Sequence, residues 1–120
     1  MRKRKTTKTL DDLGLPPELR AALQAAREQL TAEFEVDRMV LFGSVARGTA
    51  DEESDVDVLI VLRTCPDHRI RNRVSSIILE INLEHDTNLS DLVVDKESWD
   101  EGPLFVLPIY AEIREEGIRL

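Results

Sequence analysis

An Asp-x-Asp pair at the start of an apolar stretch is the feature that most constrains how this chain can fold. Asp55 and Asp57 lead directly into the apolar residues 59–62. Because alternate side chains of a β-strand leave the same face, the two carboxylates can share one ion while Val56 and Val58 take the opposite face. Carboxylate oxygens, without His or Cys beside them, favour Mg²⁺ or Mn²⁺. The pattern therefore predicts a central strand that emerges from a metal-binding edge.

A second feature lies just before this pair. The apolar run from Val36 to Phe42 predicts a buried strand, and it stops abruptly at Gly43 and Ser44. A Gly-Ser pair lets the backbone turn without a clashing side chain and exposes consecutive N–H groups, which together with the Ser hydroxyl can hold phosphate oxygens. The next ten residues, 45–54, predict a loop with room for one helical turn. The sequence thus indicates a phosphate-binding turn beside a carboxylate pair.

Apolar periodicity predicts the other elements of the chain. In chain order they are a helix that opens at Pro16-Pro17, a long helix over residues 70–81, a third strand from Leu89 to Val94, a turn at residues 97–100 and a last helix from Pro108 to Gly117. The complete order is then helix, strand, strand, helix, strand, helix. No internal repeat interrupts it.

Length and composition predict one domain. A chain of 120 residues with 42% hydrophobic residues fills one core. We expect a single domain over residues 13–120, preceded by a basic, flexible tail over residues 1–12. No apolar run approaches the roughly 20 residues that a membrane-spanning helix needs, and the charged N-terminus lacks the apolar stretch of a secretory signal. These patterns predict a cytoplasmic protein without a membrane partner.

The charge is unevenly distributed along the chain. The net charge is −8, although the first eight residues carry five positive charges. An acidic domain repels nucleic acid phosphates in general, so we do not expect a nucleic acid substrate. The tail is either a solubilising arm or a local basic patch for nucleic acid. The sequence leaves homo-oligomers open.

Cysteine and histidine offer no second site. Cys65 is the only cysteine, which excludes an intrachain disulfide and a multi-cysteine zinc site. We interpret it as a packing thiol and not as a nucleophile. His68 and His85 have no partners at ligand spacing, so we interpret them as surface residues.

Three arginines, Arg69, Arg71 and Arg73, lie near the start of the second long helix. Cations at a helix N-terminus oppose the helix dipole. Two interpretations stay open, which are a solvated face and a site that meets an anion.

The stretch from Gly43 to Asp57 resembles the minimal nucleotidyltransferases of the DNA polymerase beta superfamily. Their motif is Gly-Ser, ten residues and Asp-x-Asp, commonly with the Ala-Arg-Gly seen here around Arg47. The spacing matches in full, and the order of elements extends the resemblance over most of the chain. The resemblance implies an α/β (α+β) fold of the polymerase beta palm type. In that fold a small mixed sheet has helices on one face and leaves the other face open for the metal site.

The resemblance also implies roles for individual residues. Gly43 and Ser44 would hold the nucleotide phosphates, and Asp55 and Asp57 would bind the metals. Arg47 would either reach the triphosphate or anchor the loop to its acidic residues 51–53.

Family members use a third carboxylate on a later strand. Asp91 is the candidate, because we expect Leu92 and Val94 to face the core and Asp91 to share the face of the Asp-x-Asp pair. Asp95 has the same parity, and Ser90 stands where many members have an apolar residue. Absence of a third carboxylate is the remaining alternative.

The implied reaction moves AMP from ATP to a hydroxyl of an acceptor and releases pyrophosphate. Two Mg²⁺ or Mn²⁺ ions, held by Asp55, Asp57 and Asp91, would activate the hydroxyl and align the triphosphate. Stand-alone members are often paired with a small helical HEPN (higher eukaryotes and prokaryotes nucleotide-binding) toxin that they adenylylate as its antitoxin. The alternative is a nucleotide-binding or partner-binding module of the same fold with weak or no catalysis.

Overall fold

The computed structural model describes residues 13–49, 54–102 and 106–120. The basic tail predicted for residues 1–12 lies outside these ranges, as do the loop acids at 51–53. Within the described part, no helix is both long and apolar enough to cross a membrane.

Two long helices form where the periodicity predicts them. Helix α1 spans Pro17–Glu33, with a proline in its first turn, where the missing N–H has no helical acceptor to lose. Helix α3 spans His68–His85 and begins at Asp67, whose carboxylate accepts the N–H of Ile70 at 2.9 Å. The short helix α2, Ser44–Arg47, is the predicted single turn after the first strand.

Four strands form one mixed sheet in the order β3-β2-β1-β4. The strands are β1 Val36–Phe42, β2 Val56–Leu62, β3 Leu89–Asp95 and β4 Ile118–Arg119. β1 is antiparallel to β2 and to β4, whereas β2 and β3 are parallel. A parallel pair needs a long crossover, and α3 supplies it. The predicted small mixed sheet is confirmed, and the two-residue strand β4 is an addition that its shortness hid in the sequence.

The larger core lies between the sheet and the two long helices. It contains buried side chains of α1, α3 and the strand residues of one parity, including Leu23, Leu30, Met39, Val58, Ile60, Ile77, Ile81 and Val93. On β2, Val56 and Val58 face this core, as the alternation of the strand predicts.

The other face of the sheet is partly covered by two shorter helices. These are α4, Lys96–Asp100, where the sequence predicted only a turn, and α5, Pro108–Glu116. Trp99 and Tyr110 meet edge to face with ring centroids 5.2 Å apart, and they pack with Leu59 and Val61 of β2. This second core lies beyond Asp57 along the strand and seats α5 beside the candidate site.

Helix α5 ends at Gly117, as predicted, although the reason is packing and not a left-handed backbone. Gly117 has an ordinary φ of −67°. A Cβ there would overlap a methyl of Val40 and the carbonyl of Ile113. Only glycine lets the chain turn this closely into β4.

Candidate functional site

Gly43 makes the turn that closes β1. Its φ of 79° and ψ of −157° belong to a region that essentially only glycine adopts. Its carbonyl accepts the N–H of Arg47 at 3.1 Å, which starts α2. A Cβ at position 43 would overlap the Asp57 carboxylate, so the turn and the carboxylate are in direct contact. The structure therefore brings together the Gly-Ser turn and the second aspartate of the predicted motif.

Asp57 lies in β2 opposite Phe42, on the sheet face that carries α5. Its pKa is raised above the ordinary value, first because burial disfavours the charged form and second because the Asp55 carboxylate is near. The Arg47 guanidinium opposes this and lowers the pKa of Asp57. A neighbouring carboxylate that makes Asp57 harder to ionise favours a cation at this position.

Asp55 immediately precedes β2 and is held by Asn88. The side-chain amide of Asn88 donates to Asp55 Oδ1 at 2.7 Å, and the Asn88 carbonyl accepts the N–H of Val56 at 2.9 Å. Asn88 directly precedes β3, so the parallel register brings the starts of the two strands together. Sequence reasoning missed Asn88, because its position beside Asp55 depends on the register of β3 against β2, for which the sequence carries no signal.

The expectation that Asp91 shares the face of the aspartate pair is wrong in this structure. The register pairs Asp57 with Ser90 and Val58 with Asp91, and paired residues of a parallel ladder point to the same side. Asp91 therefore lies on the face that α1 and α3 cover. There the Ser75 hydroxyl of α3 donates to Asp91 Oδ2 at 3.0 Å. The prediction failed because it took Leu92 to face the main core, whereas Leu92 packs with the second core.

Asp95, the other candidate for the third carboxylate, does not lie at the site either. Its carboxylate accepts the N–H of Ser98 at 3.0 Å and caps α4, which also lowers the pKa of Asp95. It pairs with Leu62, at the end of the sheet away from Asp57. In the residues that the structure describes, no group of three or more His, Cys, Asp or Glu side chains could hold a metal ion.

The donors present fit one hard cation. Asp55 and Asp57 supply carboxylate oxygens of the kind that Mg²⁺ prefers, and Mg²⁺ commonly completes its shell with phosphate oxygens and water. A second ion that needs a third carboxylate has no such ligand among the described residues.

Arg47 crosses a small cleft and pairs with Glu116 of α5. Its Nη1 lies 3.4 Å from Glu116 Oε1, and both side chains are more than two-fifths exposed. The cleft has a volume of about 200 Å³, and its lining includes Gly43, Asp57, Ile109 and Glu112. Of the two roles predicted for Arg47, anchoring to residues 51–53 lies outside the described residues.

Two other features of the sequence, the arginines of α3 and Cys65, do not point to a second site. Arg73 binds Glu33 of α1 through two hydrogen bonds of 2.7 and 3.0 Å, and Arg71 donates to the Val93 carbonyl at 2.7 Å. These two arginines therefore bind groups of the neighbouring elements, and their contacts do not support the interpretation of an anion site. Cys65 was predicted to be a packing thiol, but it is exposed.

Comparison with protein families adds an independent line of evidence. Residues 23–103 match the model of a family described as the nucleotidyltransferase domain. Two proteins of Methanocaldococcus jannaschii, each named a putative protein adenylyltransferase, are 41% identical over 61 residues and 44% identical over 59 residues. These alignments cover 51% and 48% of this chain. They cover 62% and 40% of the relatives, so the match spans less than two thirds of either relative's length.

Two solved structures share the fold. One, described as a putative minimal nucleotidyltransferase, has a TM-score of 0.60 at 23% identity over 85% of this chain and 92% of its own. The other, a toxin–antitoxin structure with AMP-PNP, has a TM-score of 0.54 at 17% identity over 87% of this chain and 72% of its own. They confirm the predicted fold class.

Proposed function

The chain belongs to the nucleotidyltransferase domain family, and from that premise we propose that it transfers AMP from ATP to a hydroxyl of an acceptor. The acceptor oxygen attacks the α-phosphorus and forms a new P–O bond. The bond from the α-phosphorus to the bridging oxygen breaks, pyrophosphate leaves, and the hydroxyl proton passes to solvent. One observation carries the proposal, which is the direct contact between the Gly43 turn and the Asp57 carboxylate.

The aspartates would hold the cation that such a transfer requires. Asp55 and Asp57 are the ligands that we assign to Mg²⁺ or Mn²⁺. The raised pKa of Asp57 supports this assignment, because it reflects a negative charge that a bound cation would stabilise. A bound divalent ion neutralises charge on the phosphates during transfer. Asn88 fixes one oxygen of Asp55 and so orients the carboxylate.

The turn would hold the phosphates. Gly43 and Ser44 present backbone N–H groups at the start of α2, where no helical acceptor precedes them. We assign Arg47 to the triphosphate as well, because it lines the cleft with Asp57 and its charge already acts on that carboxylate. A phosphate would take the place of Glu116 on Arg47.

The acceptor that we propose is a hydroxyl of a protein. The two M. jannaschii relatives are named as protein adenylyltransferases, and one structural neighbour is a toxin–antitoxin assembly with AMP-PNP. The description of that neighbour supports a toxin as acceptor, with this chain as its antitoxin. We propose the cytoplasm as the place where both act. A small helical HEPN-type protein is the partner to test first.

The test is transfer of label from α-³²P-ATP in the presence of Mg²⁺ to a small helical protein encoded beside this one. We expect label on the partner with the wild-type chain and none with Asp57→Asn. Label on the partner at equal rates with both chains would show that the assigned site is not the catalytic one.

A nucleotide-binding module without catalysis is the second candidate, and the position of Asp91 favours it. A site with two carboxylates binds a nucleotide with its cation but lacks the third carboxylate of active family members. Calorimetry with ATP and Mg²⁺, followed by an assay for pyrophosphate, separates the two. Binding without pyrophosphate release, whatever partner is added, supports the module.

A further inference from the structure

A second and larger pocket lies on the other side of α2 from the cleft. Its volume is about 770 Å³. It is bounded by the start of α1, the end of α2, the two residues that flank Asp55 and the turn before β3, and its lining is Leu13, Gly14, Leu15, Pro16, Glu18, Leu19, Val45, Gly48, Ser54, Val56, Asp86, Thr87 and Asn88. Helix α2 separates the two spaces, because Val45 lines the pocket and Arg47 lines the cleft.

Size decides which space can take a nucleoside. Pockets that bind small molecules and cofactors have volumes of roughly 300–1,000 Å³. The larger pocket falls in this range, whereas the cleft beneath α5, at about 200 Å³, does not.

The position of the larger pocket fits the same assignment. Asn88 links the pocket to Asp55, because it lines the pocket and donates to the Asp55 carboxylate. Val56 lines the pocket from the main-core face of β2, so the pocket adjoins Asp55 around the start of the strand. A nucleotide whose α-phosphate lies at Asp55 therefore has its sugar next to Asn88. The phosphates then extend along α2 towards Gly43.

The lining has the chemistry of a nucleoside site. Leu13, Leu15 and Leu19 form an apolar side, which suits the face of a base. Thr87 and Asn88 form a polar side. The Thr87 hydroxyl donates to Asn82 and the Asn88 amide donates to Asp55, which leaves the oxygen of each side chain as an acceptor for ribose hydroxyls. Sites for small molecules commonly combine an apolar wall with a few placed polar groups.

We propose that this pocket binds the nucleoside part of the triphosphate, with Leu15 and Leu19 against the base and Thr87 and Asn88 against the ribose. The proposal rests on the proposed function, because it takes the phosphates to lie between Gly43 and Asp55. The loop before α1 and the first turn of α1 would then determine whether a nucleotide binds more tightly than bare phosphates.

Calorimetry with two probes tests it, namely ATP and inorganic tripolyphosphate, each with Mg²⁺. The tripolyphosphate carries the phosphates without the nucleoside. On the wild-type chain we expect ATP to bind at least about tenfold more tightly, since burying one face of a base is worth more than 1.4 kcal/mol. This comparison needs no variant and cannot be confused with misfolding. Equal affinity for the two probes would overturn the proposal.

Two variants then locate the pocket. Leu15→Gln and Leu19→Gln should weaken ATP binding about tenfold and leave tripolyphosphate binding within about twofold. Leu79→Gln is the matched control, because Leu79 lies on α3 and is 57% exposed. If both variants bind ATP as the control does, the nucleoside lies elsewhere. If the wild-type chain binds neither probe, the proposed function itself fails.

Discussion

The Asp57 carboxylate lies directly against the α-carbon of Gly43, so no side chain can occupy position 43 without displacing it. The contact joins the end of β1 to the start of β2, where Phe42 and Asp57 are partners in the antiparallel ladder. The Gly43 turn and the Asp57 carboxylate are therefore held together. Their relative position is set by the sheet and not by a flexible loop.

Gly43→Ala should abolish transfer. The new methyl overlaps the carboxylate and the backbone must leave a region that alanine avoids, so we expect a loss of at least about 100-fold in rate and about 3 kcal/mol in the free energy of unfolding. The rate is measured by label transfer from α-³²P-ATP, and stability by urea titration. Calorimetry should show weaker Mg²⁺ binding, because the methyl displaces the Asp57 carboxylate.

Gly48→Ala is the matched control. Gly48 also has a positive φ, 80°, but a Cβ there meets nothing within 4 Å. This variant should cost about 1 kcal/mol for its backbone alone and keep most of the Mg²⁺ affinity. If the two variants lost Mg²⁺ binding equally, the contact with Asp57 would not be the cause.

Asp57→Asn should stabilise the chain at neutral pH in metal-free buffer. Because the folded pKa of Asp57 is raised above 3.8, the folded state binds more protons than the unfolded state between the two values. Stability therefore falls as pH rises through this window, and the deficit persists above it. The melting temperature of the variant should exceed that of the wild type at pH 7 and match it below about pH 3.8.

Excess Mg²⁺ should reverse the order at pH 7, because the cation stabilises only the chain that retains both carboxylates. Thermal melts with and without Mg²⁺ measure both effects. A wild-type melting temperature that does not respond to Mg²⁺ would contradict the assigned cation site.

The elements of the fold were largely predictable from periodicity. Each long helix shows an apolar repeat on one face, and the β2 stretch from Val56 to Leu62 is apolar enough to be central. The short helix α4 was missed, because its Asp95 cap and five residues resemble a turn. β4 was missed because two residues carry no periodic signal, and its pairing with β1 is a tertiary contact.

Only the part of the candidate site that lies on one strand could be predicted from the sequence. Asp55 and Asp57 are related by strand geometry alone, so their side of the sheet follows from the sequence. The face of Asp91 depends on the register of β3 against β2 and on which of Leu92 and Val93 enters the main core. Both are apolar, so alternation cannot decide between them. Asn88 depends on the same register.

Asp91→Asn should lower stability slightly and leave cation binding intact. The Ser75–Asp91 hydrogen bond is exposed, so we expect a loss of about 1 kcal/mol or less in the free energy of unfolding. Ser75→Ala should cause the same loss, and the double variant should add little. Titration with Mn²⁺, followed by electron paramagnetic resonance, gives the affinity and the number of bound ions. Loss of an ion in Asp91→Asn would return Asp91 to the metal site.

Glu116→Gln should strengthen phosphate binding. The Arg47–Glu116 pair is more than two-fifths exposed on both sides, so its removal costs less than about 1 kcal/mol of stability. Its effect on phosphate binding is favourable, because the carboxylate competes with phosphate for the guanidinium. We expect tripolyphosphate with Mg²⁺ to bind about two- to fivefold more tightly, and the gain to shrink at high salt as the charges are screened.

Two further variants separate this competition from a general change in charge. Glu84→Gln removes the same charge from the exposed surface of α3 and should leave the affinity unchanged. Arg47→Ala should weaken tripolyphosphate binding about tenfold, and adding Glu116→Gln to it should then have no effect, because the carboxylate acts only through the guanidinium. If Glu116→Gln strengthens binding equally with and without Arg47, the glutamate repels phosphate directly and the two side chains do not compete.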